Sequence, residues 1–398
     1  MKKILNFIQY TFLVIIINGC TEPYNLNNET FEDLLVIEAT LTNEYKFQNI
    51  KLSRTTPLDS NEKIIEYGAT VYITDSNGVT YNFQEENNNY ISENQFSAQH
   101  NIDYQLHIFT SDGEEYLSSV NQLTTATELE SVTTERINYY GVDGVAIKAN
   151  SFDPLNKSKY YRYEYEETSK VIVPYWSNDS LRVFGTDESN LQFLIVPRSG
   201  PSRTCYKTTN SIDIIQYNTT NQNQDIVEDF IVRFISKDDY TIANGYSVLV
   251  KQYIQSEESY NYYKTLKEIN SSGNILSPKQ PGFINGNIKC ISNINKKTIG
   301  YFDVSYTSSK RIYFDYENIF QNEPLPPFPI ECEVYTYDAT IICGPGVDCR
   351  YGKLNLGINA RNRIISFLNG GSPIYNMVLT KCGDCRVFGT NVKPTFWP

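Results

Sequence analysis

The stretch ATVYITDSNGVTYNF, residues 69–83, decides the fold. Val71 and Ile73 alternate with polar neighbours, Asp75-Ser76-Asn77-Gly78 interrupts them, and Val79, Tyr81 and Phe83 resume the alternation. A period of two on both sides of Asn-Gly is the pattern of a β-hairpin, because Asn and Gly tolerate the positive φ that tight turns need. The text on either side repeats it. LLVIEATL (34–41) puts Leu35, Ile37, Ala39 and Leu41 on one face, and YQLHIFTSDGEEYLSS (104–119) does the same with Tyr104, Leu106 and Ile108 before Ser111-Asp112-Gly113. Short strands at this spacing predict an immunoglobulin-like or transthyretin-like β-sandwich over residues 34–127.

Residues 128–398 predict a larger β-rich domain with one or few helices. KYYRYEYEE (159–167) places Tyr161, Tyr163 and Tyr165 on one side and Arg162, Glu164 and Glu166 on the other. DFIVRFIS, YSVLVKQYI and TIGYFDVSY continue the strand pattern. One helix is expected in SEESYNYYKTLKEINSSG (256–273), with Ser256 as cap, Glu257 and Glu258 in the first turn, and Tyr262, Leu266 and Ile269 on one face. NEPLPPFPI (322–330) reads as a linker or rigid crossing segment. A cysteine-containing C-terminal segment follows from about residue 330. The chain is mainly β throughout.

The first twenty residues, MKKILNFIQYTFLVIIINGC, carry a basic start and an apolar run too short to span a bilayer comfortably. Residues 1–19 therefore read as a signal peptide. Ile17-Asn18-Gly19-Cys20 resembles a bacterial lipobox, which makes Cys20 the expected lipid attachment site and 20–33 a polar tether. Acyl chains contribute about 0.8 kcal/mol per buried CH₂, enough together to hold a domain on a membrane without a spanning helix. The net charge of −12 argues against nucleic acid as a partner, whose binders present a basic face.

Little in the chain looks like catalysis. Its two histidines, His100 and His107, lie near turns of the first domain, with His107 expected to face solvent. No Gly-x-Ser-x-Gly, His-Glu-x-x-His or phosphate loop is present. No catalytic residue, cofactor or metal ligand is assigned, and the chain is expected not to be an enzyme. Asp75-Ser76-Asn77-Gly78 lacks the later glutamate of a calcium loop and reads as a turn. Trp176, in VPYWSNDS, is a ligand-stacking candidate, although packing is the commoner fate of such a ring. Asp179-Ser180-Leu181 resembles a three-residue O-glycosylation signal.

The cysteines are the remaining chemistry. Cys205, Cys290, Cys332, Cys343, Cys349, Cys382 and Cys385 follow Cys20. In an exported chain disulfides are the expectation, and an odd count leaves at least one unpaired. A zinc site from Cys343, Cys349, Cys382 and Cys385, or a redox pair at Cys382/Cys385, are alternatives. The wide spacing of the first pair and the absence of a helix after the second disfavour both. CGDCRVFGTNVKPTFWP (382–398) is therefore expected to be a clasp.

That ending, together with Val36-Ile37-Glu38, Ala69-x-Val71-x-Ile73-x-Asp75-x-x-Gly78, Gly286-Asn287-Ile288 and Ile299-Gly300-Tyr301-Phe302, resembles a Bacteroidota lipoprotein family catalogued as domain of unknown function 4249. The resemblance spans nearly the whole mature chain and implies an outer-membrane lipoprotein that accompanies a TonB-dependent receptor in nutrient binding or uptake. It brings no catalytic residues. Only Glu22 follows Cys20 closely, so the cell-surface and periplasmic faces of the membrane both stay open. A structural, adhesion or envelope-assembly lipoprotein without a small ligand is the alternative.

Overall fold

The alternation that marks the strands in sequence becomes alternating burial in space. In β1 (Leu35–Thr42) Leu35, Ile37, Ala39 and Leu41 are buried. After it come β2 (Asn49–Arg54), β3 (Ile64–Ile65), β4 (Thr70–Asp75), β5 (Thr80–Glu86), β6 (Asn89–Ser92), β7 (Asp103–Phe109), β8 (Glu115–Ser118) and β9 (Asn121–Gln122). These are seen in a computed structural model that describes residues 33–56, 64–271, 284 and 286–398. The signal peptide, Cys20 and the tether up to residue 32 lie outside the described residues. The hairpin read at 69–83 is present, with Val71 opposite Phe83 and Ile73 opposite Tyr81. Asp75 folds its turn by accepting from Asn77 N and Val79 N, each at 2.9 Å, so its carboxylate serves the backbone.

Two distant strands finish this unit: β19 (Ile288–Cys290) and β20 (Thr298–Ser305). The sheet runs β19-β8-β7-β4-β5-β6-β2-β1-β20, with β3 on β2 and β9 on β7. It curls around one core until its ends meet, giving a nearly closed barrel in which one continuous sheet supplies what the sequence suggested as a sandwich. The expected boundary at residue 127 therefore does not end the sheet. β20 lies parallel to β1, from Leu35 opposite Thr298 to Thr42 opposite Ser305. A parallel pair needs a long crossover, which no local hairpin pattern announces.

Asn287 bridges the meeting ends. Its amide donates to Phe302 O at 2.9 Å and accepts from Phe302 N at 2.7 Å, as a neighbouring strand would. Thr298 Oγ1 donates to Ile288 O at 2.6 Å beside it. The seam is tight: a Cβ on Gly300 would sit 2.4 Å from Ile37 O, and one on Gly286 would sit 1.7 Å from Gly300 O. Only glycine fits either position.

The second unit packs two sheets face to face. Between β8/β9 and β19 the chain forms β10 (Leu129–Tyr139), β11 (Val142–Asp153), β12 (Tyr160–Ile172), β13 (Asp179–Phe184), β14 (Gln192–Pro197), β15 (Thr204–Asn210), β16 (Ile215–Asn218), β17 (Asp225–Ser236) and β18 (Tyr246–Gln255). β21 (Thr307–Phe314) follows β20. One sheet is β10-β11-β17; the other is β15-β12-β18-β21, with β16 also on β12. Tyr161 and Tyr163 are fully buried between them with Val145, Ile147, Val248 and Val250. A buried phenol needs a partner for its hydroxyl. Tyr161 donates to Asp225 at 2.9 Å and Tyr163 to Gln252 at 3.0 Å.

The opposite face of β12 differs from a solvated one. Arg162 is only 7 % exposed. It pairs with Glu164 and lies over the rings of Tyr253 and Tyr263 at 4.2 and 4.9 Å from their centroids. The expected helix is α1 (Glu257–Ser271), capped where Ser259 N donates to Ser256 Oγ at 3.1 Å. Its Tyr262 packs on Tyr301 of β20, joining the second unit to the barrel seam.

The C-terminal part adds α2 (Tyr316–Ile319), β22 (Val334–Asp338), α3 (Lys353–Arg361), β23 (Ile365–Gly371), β24 (Ile374–Leu379) and α4 (Thr380–Gly383). Its sheet is β22-β24-β23. Tyr337, Leu356, Phe367 and Met377 form a small core, completed by Leu181 and Phe193 from the β13–β14 hairpin. This module is thus built from two segments far apart in sequence.

Candidate binding site

The cysteines decide how the C-terminal module is held. Cys382 is bonded to Cys332, and Cys385 to Cys205 at the start of β15. Cys343 is bonded to Cys349. Cys382 and Cys385 are each committed to a different distant partner, so they form the clasp expected from sequence. The four residues considered for zinc sit in three separate disulfides and do not converge.

The rest of the terminal motif fits β15 closely. Thr390 and Tyr206 exchange backbone hydrogen bonds at 2.7 and 3.0 Å. A Cβ on Gly389 would lie 2.2 Å from Tyr206 O, which explains the glycine. Trp397, 6 % exposed, packs edge-on against Tyr206 and Tyr313. Phe396 receives the Arg311 guanidinium over its ring at 3.7 Å. Phe328, from the Pro-rich crossing segment, meets Phe388 and Tyr240.

Beside the clasp, between β13–β14 and β23–β24, lies a cavity of about 510 Å³, within the range of small-molecule sites. Leu181, Ile365, Phe367 and Met377 give it an apolar wall. Arg198, Arg363, Arg386 and Asp384 give it charge. Three cations against one carboxylate leave it net +2 in a chain of net charge −12. Asp384 accepts from Arg386 N at 3.0 Å and from Arg386 Nε at 2.9 Å, and lies 3.3 Å from Arg198 Nη1. Burial pushes the Asp384 carboxyl up, but the Arg386 hydrogen bonds and both cations hold it below its ordinary value.

Arg198 is the unusual member. Its side chain is 5 % exposed. Nη1 is used on Ser202 and Asp384, whereas Nε is buried without a partner among the described residues. Burial depresses its pKa, with Asp384 opposing. Thr380 Oγ1, also on the cavity lining, is a second buried atom without a partner. Leaving such groups unmet costs about 1–3 kcal/mol each, more when charged. The cleft of about 440 Å³ where the barrel meets the second unit is lined by Arg162. There Glu164 and two tyrosine rings answer the cation, although its Nε is likewise buried without a partner among the described residues.

The residues singled out from sequence fall elsewhere or play structural parts. Trp176 is half-buried against Val173, Cys205 and Cys385, and its Nε1 donates to Ser202 at 3.1 Å. It packs on the clasp. Ser180 and Leu181 line the cavity, with Ser180 Oγ donating to Val196 O. His107 is half-buried instead of solvent-facing, stacked on Tyr72 and bonded to Thr74 Oγ1 at 3.0 Å. Cys290 corrects the list of disulfide candidates: it is free and buried in β19. The other described cysteines all belong to the second unit or the C-terminal module, out of its reach. Cys20 lies outside the described residues.

Sequence reasoning missed Arg198, Arg363 and Arg386. Arg386 stands inside the terminal motif, but nothing local marks Arg198 as its neighbour, 186 residues from Asp384. Among known proteins, a family model described as "Domain of unknown function (DUF4249)" matches residues 21–311. The match therefore includes the barrel, the β13–β14 hairpin and the second unit up to the middle of β21, where it stops. No curated protein and no solved structure matches the chain.

Proposed function

This chain belongs to the DUF4249 family, and from that premise we propose that it is an outer-membrane lipoprotein of Bacteroidota type, anchored through Cys20. Its role is that of a non-enzymatic accessory of a TonB-dependent receptor, binding a nutrient for uptake. The observation that carries the reading is the leader ending in Ile17-Asn18-Gly19-Cys20, directly ahead of the family match at residue 21. Two features support it. Three disulfides are what an exported chain retains in an oxidising compartment. The clasp also borders a ligand-sized cavity.

The test uses the tagged full-length chain in its native host. Purified from outer membranes in mild detergent, it brings down one TonB-dependent receptor in near-equal amount. Its Cys20→Ala variant leaves the membrane fraction. Retention of that variant in the membrane contradicts the anchor. Absence of any barrel partner contradicts the accessory role and favours an adhesion or envelope-assembly protein.

A further inference from the structure

The cavity beside the clasp presents an arginine edge that the protein does not use. In Arg198 the Nη1 side faces Asp384 and Ser202, whereas neither Nε nor Nη2 bonds to a described residue. Nε and Nη2 form the side-on edge on which a guanidinium takes a carboxylate through two parallel hydrogen bonds. Arg386 cannot serve the same purpose, because its Nε and Nη2 are both on Asp384. Arg363 adds a third cation at the exposed rim. Leu181 and Val387, on the same lining, are apolar and reached by water. A bare inorganic anion would meet the cations and leave Leu181 and Val387 in contact with water, whereas an apolar body would cover them.

We propose that this cavity binds a small organic carboxylate with an apolar body, its carboxylate on the unpartnered edge of Arg198 and its body against Leu181 and Val387. The inference rests on the reading of the chain as a binding protein and names the class of its ligand. Nε is buried, so a ligand oxygen reaches it only once the Arg198 side chain rotates. Two sources supply this chemistry: the C-terminus of a short peptide and a free organic acid.

Isothermal titration of the mature chain carrying Cys20→Ser separates them, without needing any receptor. The probes are N-acetylalanylphenylalanine, its C-terminal amide, 3-phenylpropionate and inorganic phosphate. At least one carboxylate binds, the amide at least tenfold more weakly than its acid, and phosphate more weakly than either acid. Tighter binding of the peptide assigns a peptide terminus, and tighter binding of 3-phenylpropionate a free acid. Arg198→Met lowers affinity at least tenfold. Arg363→Gln, on an exposed side chain that folding does not need, lowers it about threefold and reduces its salt dependence.

Equal binding of acid and amide, phosphate binding as tight as the acids, or no binding of either acid overturns the proposal. So does an unchanged affinity in Arg363→Gln, which decides the matter if Arg198→Met does not fold. A receptor that co-purifies with a chain binding none of these probes would sink this inference and leave the accessory role intact. Carboxylate binding by a chain with no receptor partner would do the reverse.

Discussion

Removing the Cys205–Cys385 bond should be the costliest loss among the three disulfides. The two cysteines are 180 residues apart in sequence. With Cys332–Cys382 intact, the shortest closed path runs from 205 to 332, across that bond, and from 382 to 385. That loop is roughly 130 residues, for which the chain-entropy relation gives about 5 kcal/mol. Cys343–Cys349 closes a separation of 6, for which the same relation gives about 2 kcal/mol. The Cys205→Ser/Cys385→Ser variant should therefore lose more than twice the stability lost by Cys343→Ser/Cys349→Ser. The chain supplies its own reporter, because its two tryptophans, Trp176 and Trp397, both pack at the clasp. Urea unfolding followed by tryptophan fluorescence reads the clasp transition directly. Equal losses in the two variants, or a loss under about 1 kcal/mol for Cys205/Cys385, would refute the reasoning, since loop length would then not govern the stabilisation.

Asn287→Ala removes both hydrogen bonds across the barrel seam and leaves Phe302 N and O unmet, a loss of roughly 2–4 kcal/mol. Chemical denaturation checks this, and a loss below about 0.5 kcal/mol for the alanine variant contradicts the seam. Asp153, 2 % exposed, accepts from Leu155 N, Lys157 N and Ser158 N. Burial raises its pKa, but these donors outweigh that and hold it below its ordinary value. Its contribution is thus complete above the unfolded value of about 3.9 and lost as pH falls through the lower folded value. Thermal melts of the wild type and Asp153→Asn should differ most near neutrality and converge in acid; a gap independent of pH contradicts the assignment. Unfolded without reductant, a mature chain carrying Cys20→Ser should label at one thiol, Cys290. Labelling at Cys382 or Cys385 would contradict the clasp.

The parts of the fold legible in sequence were those set by neighbours along the chain. Val71 and Ile73, Leu106 and Ile108, and Tyr161 and Tyr163 all bury the side their period assigns them. The turn at Asp75–Gly78 and the capped helix after Ser256 follow from residue chemistry within a few positions. What stayed hidden depends on long-range pairing. β20 completes the barrel through a parallel contact with β1, and no hairpin rule predicts a partner that far along the chain. Gly286, Asn287 and Gly300 were visible as motif residues, yet only the seam explains them. The same holds for the cavity. Arg386 lay within a motif already under scrutiny, whereas Arg198 looks like an ordinary loop arginine until the disulfides carry Asp384 to it. Arg162 was assigned by its period to the face opposite the tyrosines, and only the folded chain shows Tyr253 and Tyr263 covering it.

The binding account is tested most directly by a crystal structure of the mature Cys20→Ser chain grown with 3-phenylpropionate or N-acetylalanylphenylalanine at saturating concentration. The account predicts the carboxylate on the Nε–Nη2 edge of Arg198, with the phenyl ring against Leu181 and Val387. An empty cavity at that concentration, or a ligand bound elsewhere on the chain, would contradict it.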